Sequence, residues 1–118
     1  MSEHNLVILR ARIASEPRVT ELASGADVVQ YDVKTSDGAG TASVPVSWFD
    51  APAAGRRFGP GDEVVVIGSV RRRFYRARGA TVSRTDVVAD EMLSARRQRA
   101  VRRAVDAAVA QYQCSQSP

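Results

Sequence analysis

Apolar and polar residues alternate through most of the first three-quarters of the chain, a pattern typical of β-strands with one buried face. In the first such stretch, from Asn5 to Ala14, the apolar side chains fall on one face and Arg10 and Arg12 on the other. The same alternation predicts four more strands, at residues 29–34, 41–49, 63–75 and 81–89. Glycine-containing turns precede or join these strands, at residues 24–25, 36–40 and 78–79.

A short helix is predicted between the third and fourth strands. Asp50-Ala51-Pro52 combines an N-cap residue with a proline in the first turn, and Gly59-Pro60-Gly61 cannot continue a helix. Five strands with one helix between the third and the fourth follow the plan of the OB-fold, a small, partly open Greek-key barrel. The sequence therefore predicts a mainly β protein: a five-stranded OB-fold barrel whose face and loops are suited to oligonucleotides.

The period of the pattern changes near Asp90, where a C-terminal amphipathic helix is predicted. Its apolar stripe consists of Val101, Ala104, Val105, Ala108, Val109 and Tyr112. We expect this stripe to pack either on the barrel or on the same helix of another subunit. The predicted organisation is an OB-fold domain at residues 1–91, the helix at 92–113 and a disordered tail at 114–118.

Charge is distributed unevenly along this chain of 118 residues, which has the length of one domain. Residues 1–67 carry six Lys/Arg and nine Asp/Glu, a net charge of −3, whereas residues 68–103 carry eleven Arg and three acids, a net charge of +8. Such asymmetry favours a polyanionic partner. The arginines of the C-terminal helix are expected to extend a nucleic-acid path or to bind an acidic protein surface: Arg96, Arg97, Arg99, Arg102 and Arg103.

The segment from Arg71 to Arg78 places five guanidiniums and two aromatic rings directly after the apolar run 64–70. Guanidiniums neutralise phosphates and aromatic faces stack on unpaired bases, so this combination is typical of proteins that bind single-stranded nucleic acid. The alternative interpretation is an exposed hairpin tip with a solubilising run of charge. The eight residues alone do not separate these two interpretations.

The residues of catalysis and metal binding are sparse in this sequence. His4 is the only histidine and Cys114 the only cysteine, so no metal site, internal disulfide or nucleophile with its base is expected. We therefore predict a protein that is not an enzyme and needs no cofactor. A lone cysteine and the lack of any run of membrane-spanning length predict a cytoplasmic protein without membrane contact.

Five segments, taken in order, resemble the bacterial single-stranded DNA-binding protein (SSB) family. They are residues 5–13 with the turn Glu16-Pro17, Ser24-Gly25 before residues 29–33, residues 60–70, the pair Arg73 and Tyr75, and residues 85–91. The resemblance implies an OB-fold dimer or tetramer that binds single-stranded DNA without strong sequence preference, in replication, repair or recombination at the nucleoid. Typical members end in a long linker and an acidic tip, which Ser115–Pro118 does not resemble, so an accessory paralogue is expected.

The resemblance also implies roles for individual residues. Tyr75 holds the position of a stacking aromatic, and the neighbouring arginines are expected to reach phosphates. The ring at the end of the third strand is Trp48 in the better alignment, and a slip of one residue would make it Phe49. Simple alternation instead puts Trp48 on a core face. The full set of expected DNA-binding residues is Arg10, Arg12, Lys34, Trp48, Arg71, Arg73, Phe74, Tyr75, Arg76 and Arg78.

Several of these residues have a second interpretation. Phe74 either stacks on a base or packs into a neighbouring subunit, and Arg12 either contacts DNA or pairs with Glu16 to fix a turn. Tyr31 and Phe58 are predicted to lie in the core. For the whole protein, the alternatives are an OB-fold protein-interaction module, a primosome-type adaptor and an RNA-binding protein.

Overall fold

Six strands and one helix follow one another in the structure, a computed structural model that describes residues 4–52 and 57–116, without the side chains of 75–77 and 114–116. The elements are β1 (Val7–Ile13), β2 (Arg18–Glu21), β3 (Asp27–Asp37), β4 (Gly40–Phe49), β5 (Glu63–Ala77), β6 (Ala80–Ser94) and α1 (Gln98–Gln116).

The strands form one sheet in the order β1-β5-β6-β4-β3-β2, and an additional pairing of β1 with β3 closes it into a barrel. β4 and β6 run parallel, and all other paired strands are antiparallel. β1 and β2 both pair with β3 and together act as the first strand of the barrel, interrupted near Pro17, which has no N–H to donate. The result is a closed five-stranded barrel with one C-terminal helix, consistent with an OB-fold.

The predicted helix between the third and fourth barrel strands falls largely on residues 53–56, which lie outside the described part of the chain. Two other boundaries differ from the prediction: β6 continues to Ser94, and α1 begins at Gln98 and reaches Gln116. A β-bulge explains the first difference. Opposite Ile67 and Gly68, β6 contributes one extra residue, Asp90, so the inward positions change from every second residue to Ala89 followed by Met92. In the sequence, this shift of the inward positions looks like the change from a strand period to a helix period predicted near Asp90.

The barrel interior is filled mainly by valines, together with Tyr31, Trp48 and Met92. Tyr31 is fully buried, as predicted, and its ring meets the ring of Phe58 edge-on at 6.3 Å between centroids. Burial raises the pKa of the Tyr31 hydroxyl above its ordinary value, and the nearby Asp62 carboxylate adds to the rise.

The helix α1 lies on the outside of the barrel of the same chain. The outward side chains of Val65 and Ile67 on β5 form a second hydrophobic cluster with Ala95, and Val101 and Val105 of the helix pack against it. This confirms the first of the two alternatives for the apolar stripe, docking on the barrel. No helix in the described part of the chain is apolar enough over a sufficient length to cross a membrane.

Candidate nucleic-acid interface

Strands β5 and β6 extend beyond the barrel as a two-stranded arm, which we define as residues 71–86. The pairing of β1 with β5 ends at Gly68, and the pairing of β4 with β6 begins only at Val87. Between these limits, β5 and β6 continue to pair with each other up to Ala77 and Ala80. Arg78 and Gly79 form the two-residue turn, both with positive φ (53° and 78°), as tight hairpins require. The whole Arg71–Arg78 segment therefore lies on this arm.

Alternation divides the arm into two faces. Arg71 lies opposite Asp86 and Arg73 lies opposite Arg84, so these four residues share one face, continuous with the outside of the barrel. Arg72 and Phe74 occupy the other face. This division is the one that the sequence predicts.

Arg73 is held by a buried carboxylate rather than extended into solvent. Its Nη2 lies 2.6 Å from Oδ2 of Asp86 and donates to the Ser47 hydroxyl at 3.0 Å. The same hydroxyl donates to Asp86 Oδ2 at 2.6 Å. The Asp86 side chain is fully buried, whereas that of Arg73 is 32% exposed. The predicted phosphate contact by Arg73 would therefore have to compete with this ion pair.

The ring beside this ion pair is Phe49, at the end of β4. The guanidinium carbon of Arg73 lies 5.3 Å from the centroid of the Phe49 ring, within the range of a cation–π contact. Trp48 points the other way, into the barrel core, and only 7% of it is exposed. The prediction that Trp48 is exposed and stacks on a base is therefore wrong. The alternation that turns Val44 and Val46 inward continues along β4 to Trp48 without a one-residue shift. Phe49, the alternative, holds the outward position.

A second ring and guanidinium meet on the opposite face of the arm. The guanidinium carbon of Arg72 lies 5.6 Å from the Phe74 ring centroid, and its Nη2 donates to the Ser83 hydroxyl at 3.1 Å. Phe74 is 67% exposed, the highest value among the large apolar side chains exposed in the described residues. Most of the Phe74 side chain is thus accessible to a ligand.

Three further residues of the expected site lie at the tip of the arm. Tyr75 and Arg76 belong to β5, with their backbones opposite Val82 and Thr81, and Arg78 is an exposed turn residue. The side chains of Tyr75 and Arg76 lie outside the described part of the structure. The stacking role of Tyr75 stays a prediction.

Arg10, Arg12 and Lys34 lie far from the arm. Nε and Nη2 of Arg10 donate to Glu63 Oε1 at 2.8 and 2.6 Å, and Arg12 lies 3.6 Å from the same carboxylate. Glu63, and not Glu16, is the acidic partner of Arg12 in the described residues. Because Glu63 begins β5 and Arg73 lies ten residues further along it, the two sites are about 30 Å apart measured along the strand, at ~3.3 Å per residue. The structure does not bring the ten expected residues into one cluster.

Two polar residues at the base of the arm were missed from the sequence. Ser47 and Asp86 are buried, yet they determine where the Arg73 guanidinium lies. In a hairpin whose turn is Arg78-Gly79, Arg71 lies opposite Asp86. The hairpin register could therefore have indicated from the sequence that Asp86 lies beside the arginines of the arm. The contribution of Ser47 had no such local signal, because it depends on β4 lying beside β6.

No group of three or more metal-binding side chains is found in the described residues. A scan against protein-family models finds no match for the chain, and a search of curated proteins finds none that is similar.

Proposed function

We propose that this protein binds single-stranded DNA without strong sequence preference, by stacking bases on aromatic rings beside arginines of the arm. In this proposal it acts as an SSB-like protein or accessory paralogue in replication, repair or recombination at the nucleoid, as a homo-oligomer. The resemblance of the sequence to the SSB family and the OB-fold-like barrel support the proposal.

The observation that carries the proposal is the pairing of an aromatic ring with a guanidinium on each face of the arm. Phe49 lies beside Arg73 and Phe74 beside Arg72, at 5.3 and 5.6 Å. A base can stack on such a ring while the phosphates on either side meet guanidiniums. Unpaired bases offer their faces to a ring, whereas stacked bases in a duplex do not. The arrangement therefore favours single strands over duplex.

The charge of the arm supports the same ligand. Its described side chains include the cations of Arg71, Arg72, Arg73, Arg78 and Arg84 against the single carboxylate of Asp86. Since Arg73 is paired with Asp86, the remaining arginines supply the net positive charge. Contacts from these residues to phosphates would release counterions, so binding should weaken steeply with salt.

A titration of labelled oligo-dT, oligo-rU and duplex DNA, followed by fluorescence anisotropy, tests the proposal. We expect the tightest binding to oligo-dT, with log K falling against log salt by about 0.7 per phosphate contacted. A label on the oligonucleotide is needed because Trp48 is buried and its ring is not available for contact with a base. No binding to oligo-dT at low salt would contradict the proposal, and preference for oligo-rU would favour an RNA ligand.

A protein-interaction module is the second candidate function. Val70 and Phe74 are both exposed and lie on the same face of β5, which offers an apolar surface to a protein or to another subunit. Mass determination with and without oligo-dT distinguishes the candidates. An oligomer that dissociates when Phe74 is changed to serine, with oligo-dT binding unaltered, would assign this ring to an interface between subunits.

A further inference from the structure

Two adjoining clefts lie at the end of β5 that is remote from the arm. One, of about 600 Å³, is lined by residues that include Arg10, Arg12, Arg57 and Arg96. The other, of about 580 Å³, shares Arg10 and Arg12 with the first and adds Lys34. We call the two together the β1 groove, since β1 runs along both. They form one surface that joins β1, the segment before β5 and the start of α1.

The β1 groove is cationic even after its own acids are counted. Lys34 and the four arginines carry five positive charges, against two negative charges from Asp62 and Glu63. Glu63 bridges Arg10 and Arg12, and Asp62 accepts the backbone N–H of Gly59 at 2.9 Å. The net charge of the lining is +3.

The ion pairs of the groove leave its guanidiniums accessible. The side chains of Arg10 and Arg12 are 68% and 66% exposed although both contact Glu63. Exposed ion pairs contribute at most about 1 kcal/mol, so a phosphate can share or replace Glu63 at small cost. Arg57 and Arg96 are also exposed, and neither has a carboxylate partner among the described residues.

The lining also indicates which part of a nucleic acid it would contact. The single aromatic ring in the groove, Phe58, is partly buried and packs against Tyr31, so it offers no platform comparable with Phe74. Guanidiniums bind phosphate oxygens through charge and hydrogen bonds, and without an accessible ring beside them they offer no stacking platform for a base. The surface therefore matches a sugar–phosphate backbone whose bases point away.

We propose that the β1 groove is a second phosphate-binding site, which holds the backbone of a single strand about 30 Å along β5 from the bases stacked on the arm. This inference rests on the proposed function and adds to it a division of labour: rings at one end of β5 and phosphate contacts at the other. A strand must be long enough to span both sites before the groove contributes to its affinity.

The test compares a groove variant with a charge-matched control. The groove variant is Arg57→Gln with Arg96→Gln, and the control is Ala107→Glu with Ala110→Glu, which lowers the net charge by the same two units at exposed positions of α1. Oligo-dT of about 3 and about 20 nucleotides brackets the ~4–16 nucleotides that one OB-fold covers. Urea unfolding of each variant confirms that it folds.

For the long oligonucleotide, we expect the groove variant to lose about 1.4 from the magnitude of its salt slope, two contacts at ~0.7 each. We expect no change with the short oligonucleotide, and a control variant like the unmodified protein. An abasic strand of the same length should show the same slope loss, since the groove reads only phosphates. In NMR spectra, the Nε–H signals of Arg10 and Arg57 should shift with the long strand and not with the short one.

Each other outcome overturns the inference. If the unmodified protein binds the long strand but groove and control variants behave alike, the groove is not a site, while the proposed function stands. If the unmodified protein binds neither strand, the proposed function fails and the inference with it. If the groove variant loses binding to poly-glutamate but not to oligo-dT, the surface binds an acidic protein instead.

Discussion

The carboxylate of Asp86 lies fully buried at the base of the arm, 2.6 Å from Nη2 of Arg73, which is one-third exposed. The two members of this ion pair thus differ in their access to water. Each also has one buried atom without a hydrogen-bond partner in the described residues, Oδ1 of Asp86 and Nε of Arg73. The pair orients Arg73 beside Phe49, so it links the stability of the barrel to the geometry of the proposed stacking site.

Removing Arg73 should therefore lower the free energy of unfolding more than removing the charge of Asp86. Arg73→Met leaves a buried carboxylate without its cation, and we expect a loss of about 3–5 kcal/mol in the free energy of unfolding. Asp86→Asn leaves a guanidinium that can turn towards water, and we expect a loss of about 1–2 kcal/mol. Urea unfolding at neutral pH measures both values. Equal losses, or the reverse order, would contradict this account of the pair.

The two outward rings should contribute to binding, whereas the buried tryptophan should not. We expect Phe49→Ala and Phe74→Ala each to weaken oligo-dT binding by about 1–3 kcal/mol, the usual value of one stacked base. Trp48→Phe should leave the affinity unchanged because this ring lies in the core. Val19→Ala, at another exposed apolar position, is the control for general surface effects. Fluorescence anisotropy titrations measure these affinities. A larger loss of affinity in the Trp48 variant than in the Phe49 variant would refute the assignment of Phe49 as a stacking ring.

Gly68 should tolerate no side chain, because the bulged part of β6 approaches it closely. A Cβ placed on Gly68 would overlap the backbone carbonyl of Val88, which cannot rotate away. We expect Gly68→Ala to lower the free energy of unfolding by about 3 kcal/mol or more, as in an overpacked core. Gly38→Ala is the matched control, since nothing lies within 4 Å of its added methyl group. Similar denaturation midpoints for the two variants would show that the bulge can rearrange.

The contact between α1 and the barrel should depend on the apolar stripe of the helix. Val105→Asp places a carboxylate beside Val65 and Ile67, and we expect a loss of about 1–3 kcal/mol in stability from burying a polar group. Ala107→Asp adds the same charge at an exposed position of the same helix and should change stability by less than about 0.5 kcal/mol. Both are measured by urea unfolding. Equal effects would indicate that the helix does not remain docked in solution.

Alkaline pH should destabilise the fold through Tyr31. Its pKa is raised above the unfolded value near 10 by burial and by Asp62, so the native state holds this proton more tightly than the unfolded chain. The stabilisation is complete below pH ~10 and is lost as the pH rises from there through the folded pKa. Tyr31→Phe should flatten the fall of Tm above pH 10. The control is Tyr112→Phe, at a half-buried position on α1, and an equal flattening there would exclude Tyr31 as the cause.

Local patterns predicted much of the fold. The alternation along Arg71–Tyr75 and the glycine turn after it correctly divided the arm into two faces. Tyr31 was predicted in the core for the same reason, since its neighbours along the strand alternate inward and outward. The plan of five barrel strands and the amphipathic stripe of α1 also follow from short-range periodicity, which each segment carries independently of the rest.

The errors arose where distant segments meet. The bulge at Asp90 could not be predicted from its own segment, because it lies where β6 meets β5 and Gly68 closely approaches Val88. Arg73 looked like a cation for phosphate, but its carboxylate and hydroxyl partners come from β6 and β4. For Trp48, alternation within β4 gave the right face, and the alignment to the SSB family gave the wrong one. The separation of Arg10 from the arm likewise depends on the length of β5.

The arm has a consequence for how its arginines should be mutated. From Arg71 to Ala77, β5 has lost β1 as its neighbour, so its outer backbone N–H and C=O groups could pair with the same ribbon of another molecule. Like charges along an unpaired edge repel such a copy and protect against edge-to-edge aggregation. Neutral substitutions that remove phosphate contacts would also remove this protection. Glutamate in place of Arg71 or Arg72 would weaken phosphate attraction while keeping a charged side chain at that position, and is the better test of nucleic-acid binding.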